Sequence, residues 1–127
     1  MATLQVMCWY AEIRPRVHYV CVPCRRSVKS WWGRTGVVCP SCRGTMVDAG
    51  PDLAVPPRRD ARRWRAVEAV LAAGLRYDGR DGCGCGKDPK PRPRTSAQVR
   101  RLLRAADRAG VARDRALTLE DASDAYR

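Results

Sequence analysis

The chain has 127 residues, of which 25 are lysine or arginine and 13 are aspartate or glutamate, so its formal net charge is +12. A pI of about 10.2 is far from that of a neutral metabolic enzyme and implies a polyanionic partner, nucleic acid first. The length corresponds to one domain, or to a small module with a helical extension. The sequence shows no signal-peptide core and no segment long enough to span a membrane, which favours a cytoplasmic protein without a membrane partner.

Two Cys-x-x-Cys pairs, Cys21-Val-Pro-Cys24 and Cys39-Pro-Ser-Cys42, form the most specific motif of the chain. This spacing is typical of a closed tetrahedral Zn²⁺ site, in which each pair forms a tight turn and the residues between them form a hairpin. Redox motifs or free thiols are the alternative. A redox pair, however, normally lies at a helix N-terminus in a βαβ unit, which this sequence does not indicate. A metal site with no open coordination position stabilises a fold rather than performing catalysis.

This pattern resembles the zinc ribbon superfamily, found in small ribosomal proteins, transcription factors and RNA polymerase subunits, over about residues 17–47. The chain as a whole is similar to small actinobacterial zinc-ribbon proteins. It departs from the ribbon pattern at Arg43, where many ribbons have glycine directly after the last cysteine. Gly44, two residues past Cys42, is expected to let the backbone leave this turn with a positive φ. The resemblance implies a scaffold that holds one structural Zn²⁺, and it does not specify a function.

A second metal site is a less specific prediction. Its ligands would be Cys8, His18, Cys83 and Cys85, provided that the glycine-rich loop folds back onto the first strands. Cys-x-Cys is a weaker signal than Cys-x-x-Cys. In the alternative interpretation Cys8 is buried as a small hydrophobic residue and the loop thiols are free.

The expected fold class is a small metal-stabilised α+β fold, with a zinc-ribbon hairpin or three-stranded sheet packed against one or two helices. The ribbon would occupy residues 1–50, and a basic helical extension would occupy residues 51–127. Alternation of apolar and polar residues predicts the strands. They are expected at 3–10, 17–20, 25–32 and 45–47.

Two helices are predicted in the extension, near 58–74 and 96–109. Both have apolar residues at helical spacing, and the second begins with a capping box. The loop at 77–94 is rich in glycine, proline and basic residues and is expected to be extended. The motif Thr118-x-x-Asp121 indicates a cap for one short final helix.

A pair of tryptophans on the predicted hairpin, Trp31 and Trp32, is the first candidate for binding nucleic acid. Neighbouring residues of a strand point to opposite faces, so at most one of them can join the core. An exposed indole can stack on an unpaired base. Alternatively, Trp64 and one of the pair join the helix to the ribbon. The basic neighbours on the hairpin are Arg25, Arg26 and Lys29.

Arginine-rich segments form the other candidate surfaces. Arginine binds phosphate bidentately without reading a base sequence, and arginines crowded at a helix N-terminus are unfavourable unless anions neutralise them. Alternation with proline is expected to keep the loop cations splayed and extended. A solvated charged surface is the simpler interpretation. The residues are Arg58, Arg59, Arg62 and Arg63 in the first helix, Lys90, Arg92 and Arg94 in the loop, and Arg100, Arg101 and Arg104 in the second helix.

Catalysis has little support, because His18 is the only histidine and no catalytic triad or phosphate-binding glycine loop is recognisable. The protein is therefore expected not to be an enzyme. Nucleic-acid binding is the favoured function, with structured RNA or the ribosome preferred to DNA. The alternatives are a DNA-binding regulator that uses its last two helices as a helix-turn-helix, and an adaptor that docks on an acidic protein partner.

Overall fold

A three-stranded sheet and two long helices form the framework of residues 16–78 and 90–127, which the computed structural model describes. The predicted strand at 3–10 and the middle of the basic loop lie outside these residues. The α+β prediction is confirmed for the described part of the chain. Its elements are β1 (Arg16–Cys21), β2 (Arg26–Trp31), β3 (Val47–Asp48), α1 (Ala61–Ala72), α2 (Ser96–Ala109), α3 (Arg113–Ala116) and a 3-10 helix at Ala122–Tyr126.

Strand β1 lies at the centre of the antiparallel sheet, whose order is β2-β1-β3. Its pairing with β2 runs from Arg16↔Trp31 to Cys21↔Arg26. The third strand is shorter and later than predicted, because only Val47–Asp48 pair with β1. Thr45 forms no more than an isolated bridge with Val38.

The alternation of side chains along β1 places a different core on each face of the sheet. On one face, Val17, Tyr19 and Cys21 join a cluster that includes Cys39 and Met46. On the other face, Val20 joins a second cluster. Its members are Val20, Ala49, Leu53, Trp64, Val67, Val70 and Tyr77. One six-residue strand therefore connects the cysteines to the helices.

Helix α1 supplies most of the second core. Trp64 is 2% exposed, and its indole Nε1 donates a hydrogen bond to the Pro57 carbonyl at 3.0 Å. Helix α2 then packs on α1 through a third cluster, in which Ala66 meets Val99 and Leu102. The helical part is thus joined to the sheet by a continuous series of apolar contacts.

The predicted start of α1 was wrong by three residues. The helix begins at Ala61, because the Asp60 side chain caps it by accepting a hydrogen bond from the Arg63 N–H at 3.1 Å. Arg58 and Arg59 lie in the preceding turn. An aspartate cap is favourable at a helix N-terminus, and Arg63 also forms an ion pair with Asp60 at 3.3 Å. The arginines near this N-terminus therefore do not require bound phosphate to explain their position.

Helix α2 follows the sequence prediction closely. The Thr95–Gln98 capping box is present, and Gly110 ends the helix with a φ of 73°. The prediction for the final helix was wrong in its cap. Asp121 caps the 3-10 helix, whereas the Thr118 hydroxyl donates to the Arg115 carbonyl at 2.6 Å. The short helix α3 was not predicted.

Residues 90–94 are held against the body of the protein, which contradicts the expected splaying of their cations. Tyr77 is buried, and its hydroxyl donates a hydrogen bond to the Pro93 carbonyl at 3.1 Å. Arg94 lies 5.1 Å from the centre of the Tyr77 ring. Arg92 Nε donates to the Arg76 carbonyl at 2.9 Å, and Lys90 forms an ion pair with Asp78 at 3.6 Å.

The buried Tyr77 hydroxyl predicts a loss of stability at high pH. Burial raises the pKa of Tyr77 to about 12 from 10.0, against the opposing effect of Arg94 and Arg92. A raised pKa means that its contribution is complete below pH 10 and is lost as the pH rises towards 12. At pH 11 the loss is about 1.4 kcal/mol. Urea unfolding at pH 8 and pH 11 should show this extra loss in the wild type relative to Tyr77→Phe. Equal losses in the two proteins would contradict it.

Candidate metal centre and nucleic-acid interface

The four cysteines of the two Cys-x-x-Cys pairs come together as predicted. Their sulfur atoms all lie within 4.8 Å of one another, and Cys21 Sγ is 3.7 Å from Cys42 Sγ. A tetrahedron with metal–sulfur bonds of about 2.3 Å has edges of about 3.8 Å. The site can therefore hold one metal ion between four thiolates. Such a donor set suits zinc or iron.

Two similar turns position these sulfurs. In each turn, the residue directly after the second cysteine has a positive φ, 52° at Arg25 and 62° at Arg43. Gly44 was expected to supply this conformation, and that prediction was wrong. The Gly44 N–H instead donates to Cys42 Sγ at 3.3 Å, and the Ser41 N–H donates to Cys39 Sγ at 3.4 Å. Backbone N–H groups thus point at the sulfurs.

Hydrogen bonding and burial shift the pKa values of three of the four cysteines, and not all in the same direction. The backbone N–H groups of Cys42 and Ser41 lower the pKa of Cys39 to about 6. The pKa of Cys24 is raised to about 12, mainly by hydrogen bonds with the thiols of Cys42 and Cys21. Burial raises the pKa of Cys21. A dication would supply the positive charge that four neighbouring thiolates require.

Of the predicted second metal site, only His18 lies within the described residues; Cys8, Cys83 and Cys85 lie outside them. His18 is in the middle of β1, opposite Lys29. Partial burial and then the Lys29 charge lower the pKa of His18 below 6.5. The imidazole is therefore neutral at pH 7, and the second site stays a prediction.

Both tryptophans of the hairpin are exposed, Trp31 by 53% and Trp32 by 54%. The alternative in which one of them joins the helix to the ribbon is wrong, since both are exposed and Trp64 is the only tryptophan of residues 16–78 and 90–127 in the core against the sheet. The Arg16 guanidinium lies 5.3 Å from the centre of the Trp31 ring. This cation–π contact orients the indole, and Arg16 shares its face of the sheet with His18. We call Arg16, His18, Lys29, Trp31 and Trp32 the aromatic platform.

Tyr19 holds the end of the hairpin that carries the platform. Its hydroxyl donates to the Trp31 carbonyl at 2.7 Å and accepts from the Arg34 N–H at 3.1 Å. Gly33 completes the turn with a φ of 78°. Sequence reasoning missed both Tyr19 and Arg16. The pairing register of the hairpin would have indicated Arg16. Counting back along both strands from the first cysteine turn places Arg16 opposite Trp31.

A second group of predicted basic residues surrounds the first cysteine turn. Arg25 Nη1 donates to the Arg58 carbonyl at 3.0 Å, which ties this turn to the residues before α1. Arg59 lines the same open depression, of about 730 Å³, together with Pro23 and Ser41. Arg26 differs, because its Nε is buried without a hydrogen-bond partner among the described residues.

The remaining predicted residues lie along the helices. Arg62 and Arg63 are exposed on the first turn of α1, and Arg100, Arg101 and Arg104 are exposed on α2. Within the described ranges, Arg63 is the only one of these five in an ion pair. The structure thus distributes the predicted nucleic-acid residues over several surfaces rather than one site.

Comparisons with protein-family models, with curated proteins and with solved structures gave no match. Within residues 16–78 and 90–127, no helix has the length and apolar character needed to cross a membrane.

Proposed function

We propose that this chain is a zinc-ribbon protein that binds nucleic acid and catalyses no reaction, with structured RNA, free or in the ribosome, as its preferred partner. Zinc is proposed because a closed tetrathiolate site is its usual structural environment. Cys21, Cys24, Cys39 and Cys42 would hold the ion. Bound there, zinc supplies folding free energy and keeps the two turns together.

The aromatic platform is the observation that carries the proposal. Two large indoles, each about half exposed, lie at the end of a hairpin that Tyr19 fixes in place, and one of them, Trp31, contacts the Arg16 guanidinium. Exposed aromatic rings next to arginine are suited to stacking on bases while the cations contact phosphates. A rigid platform loses little entropy on binding, which favours a binding role over a purely solvated surface.

RNA is preferred to DNA because stacking requires unpaired bases. Loops and bulges of folded RNA expose base faces, whereas duplex DNA hides them. The last two helices also offer less support for a helix-turn-helix, since α2 is followed only by the four-residue α3 and by the 3-10 helix Ala122–Tyr126, and that motif needs a second helix that can lie in the major groove. An adaptor on an acidic protein is the second candidate, for which the same cations would serve.

Replacement of both platform tryptophans tests the proposal. Trp31→Ala with Trp32→Ala should weaken binding to a labelled RNA hairpin with an unpaired loop by about 5- to 150-fold for each stacked base lost. Fluorescence anisotropy would give the affinities, with a fully paired duplex of the same length for comparison. Trp31→Phe should retain most of the affinity.

The matched control is Val47→Ala, which truncates an apolar side chain that is 50% exposed and lies outside the platform. It should bind the hairpin as the wild type does. If the wild type binds no RNA even at low salt, the proposed function is wrong. A pulldown in which a protein partner stays bound after nuclease treatment, and RNA does not, would favour the adaptor.

A further inference from the structure

A basic groove lies between α2 and the C-terminal 3-10 helix, on a different part of the molecule from the aromatic platform. It is an open depression of about 470 Å³. Arg100, Arg104 and Arg108 line it, spaced four residues apart along α2. We call this depression the α2 groove. Its other lining residues are Ala97, Arg101, Ala105, Ala122, Ser123 and Tyr126.

The three arginines form a regular row. Residues four apart lie on one face of a helix and are separated by about 6 Å along its axis. Like charges at this spacing repel one another. Their repetition on one side of α2, beside alanines that leave the space open, makes a linear array of guanidinium groups.

The acidic residues that cap the 3-10 helix form no ion pair with this row. Asp121 and Asp124 cap the 3-10 helix by accepting hydrogen bonds from Ser123 and Asp121 backbone N–H groups, at 2.8 and 3.1 Å. Asp124 also forms an ion pair with Arg127 at 3.6 Å. Over residues 16–78 and 90–127, no salt bridge involves the three arginines of the row.

Tyr126 adds an exposed aromatic ring to the groove. It is 58% exposed and lies at the end of the 3-10 helix, which packs along α2. An acidic peptide could use the same arginines, but it offers no nucleobase on which the exposed Tyr126 ring could stack. A single nucleic-acid strand requires regularly spaced cations and an aromatic ring for stacking.

We infer that the α2 groove is a second contact for single-stranded RNA, in which Arg100, Arg104 and Arg108 bind successive phosphates and Tyr126 stacks on a base. This inference rests on the proposed function and extends it from one surface to two. Two linked contacts would raise the overall affinity for an RNA long enough to reach both, without any change at either contact.

The salt dependence of binding tests the groove. Arg100→Ala, Arg104→Ala and Arg108→Ala together should reduce the slope of log affinity against log salt by about 2, since each phosphate contact on a single strand contributes about 0.7. Labelled oligouridine is the probe, read by fluorescence anisotropy. Tyr126→Ala should weaken binding by about 5- to 150-fold without changing the slope, and Tyr126→Phe should restore the affinity.

A control variant with the same net charge as the groove variant separates the effect of the groove from the effect of net charge. Arg65, Arg113 and Arg115 are exposed and lie outside the groove, so their joint replacement by alanine should leave the slope nearly unchanged. If this control loses as much slope as the groove variant, or if the groove variant loses none, the inference is wrong.

Three further outcomes test the groove and the proposed function separately. Loss of affinity only in the Trp31/Trp32 variant would reject the groove and retain nucleic-acid binding. Failure of the wild type to bind any RNA would reject the proposed function itself. Binding of poly-glutamate that exceeds RNA binding and requires the three arginines would overturn the inference in favour of an acidic protein partner.

Discussion

Replacing Cys39 with serine should leave the ribbon unfolded at room temperature. Cys39 is 1% exposed and belongs both to the metal cluster and to the apolar core around it. A structural zinc ion in a small module contributes about 10–16 kcal/mol of apparent binding free energy that is also folding free energy. A domain of this size has only about 5–15 kcal/mol of net stability. Loss of the ion therefore exceeds what the remaining contacts can replace.

Metal analysis and circular dichroism would measure this effect. The wild type should contain about one zinc ion per chain and unfold cooperatively in urea, and excess chelator should reproduce the Cys39→Ser result. Cys83→Ser is the matched control, because it removes a cysteine outside the four and also reports on the predicted second site. A folded, metal-free Cys39→Ser protein would show that the cysteines do not stabilise this fold through a metal.

Gly50→Ala should destabilise the protein by about 2–5 kcal/mol, from about 1–2 kcal/mol for alanine at a positive φ and about 1–3 kcal/mol for overpacking. Gly50 has a φ of 93°, and a Cβ there would overlap the Tyr77 carbonyl oxygen and lie 2.8 Å from its carbon. The neighbouring backbone cannot move away easily, because the Tyr77 N–H donates to the Ala49 carbonyl at 2.9 Å and the Tyr77 carbonyl accepts from Asp52. Urea unfolding would give the free energy.

Gly33→Ala separates this steric effect from the cost of a positive φ alone. Gly33 has a φ of 78°, with no atom within 4 Å of an added Cβ. Its replacement should cost about 1–2 kcal/mol. Similar losses at the two positions would mean that the close approach of Gly50 to Tyr77 is not a tight constraint.

Features encoded in a few neighbouring residues could be predicted from the sequence. The two Cys-x-x-Cys turns and the Thr95–Gln98 capping box each depend on local spacing, and the structure shows both. The start of α1 could have been predicted from Asp60, because aspartate is a common N-cap residue. It was missed because the arginines before it were counted as helical.

Features that depend on distant contacts could not be predicted in the same way. Both Trp31 and Trp32 are exposed because Trp64 already fills the space between the sheet and α1, and no local pattern shows which indole occupies it. Likewise, Arg92 and Arg94 are held in place because the buried Tyr77 binds the proline-rich segment from across the chain. Such contacts require the relative placement of elements.

The β1–β2 hairpin connects the metal centre to the aromatic platform through one ladder of paired residues. The pair Cys21↔Arg26 adjoins the first cysteine turn, and the pair Arg16↔Trp31 ends the same ladder. A slip of one residue would exchange the two faces of the strand and move Cys21 away from the other sulfurs. A metal ion held by the four cysteines would therefore select this register, and the register sets the distance of Trp31 from the cysteines. Lengthening each strand by two residues would move the tryptophans about 7 Å farther from the cysteines while every original side chain kept its face.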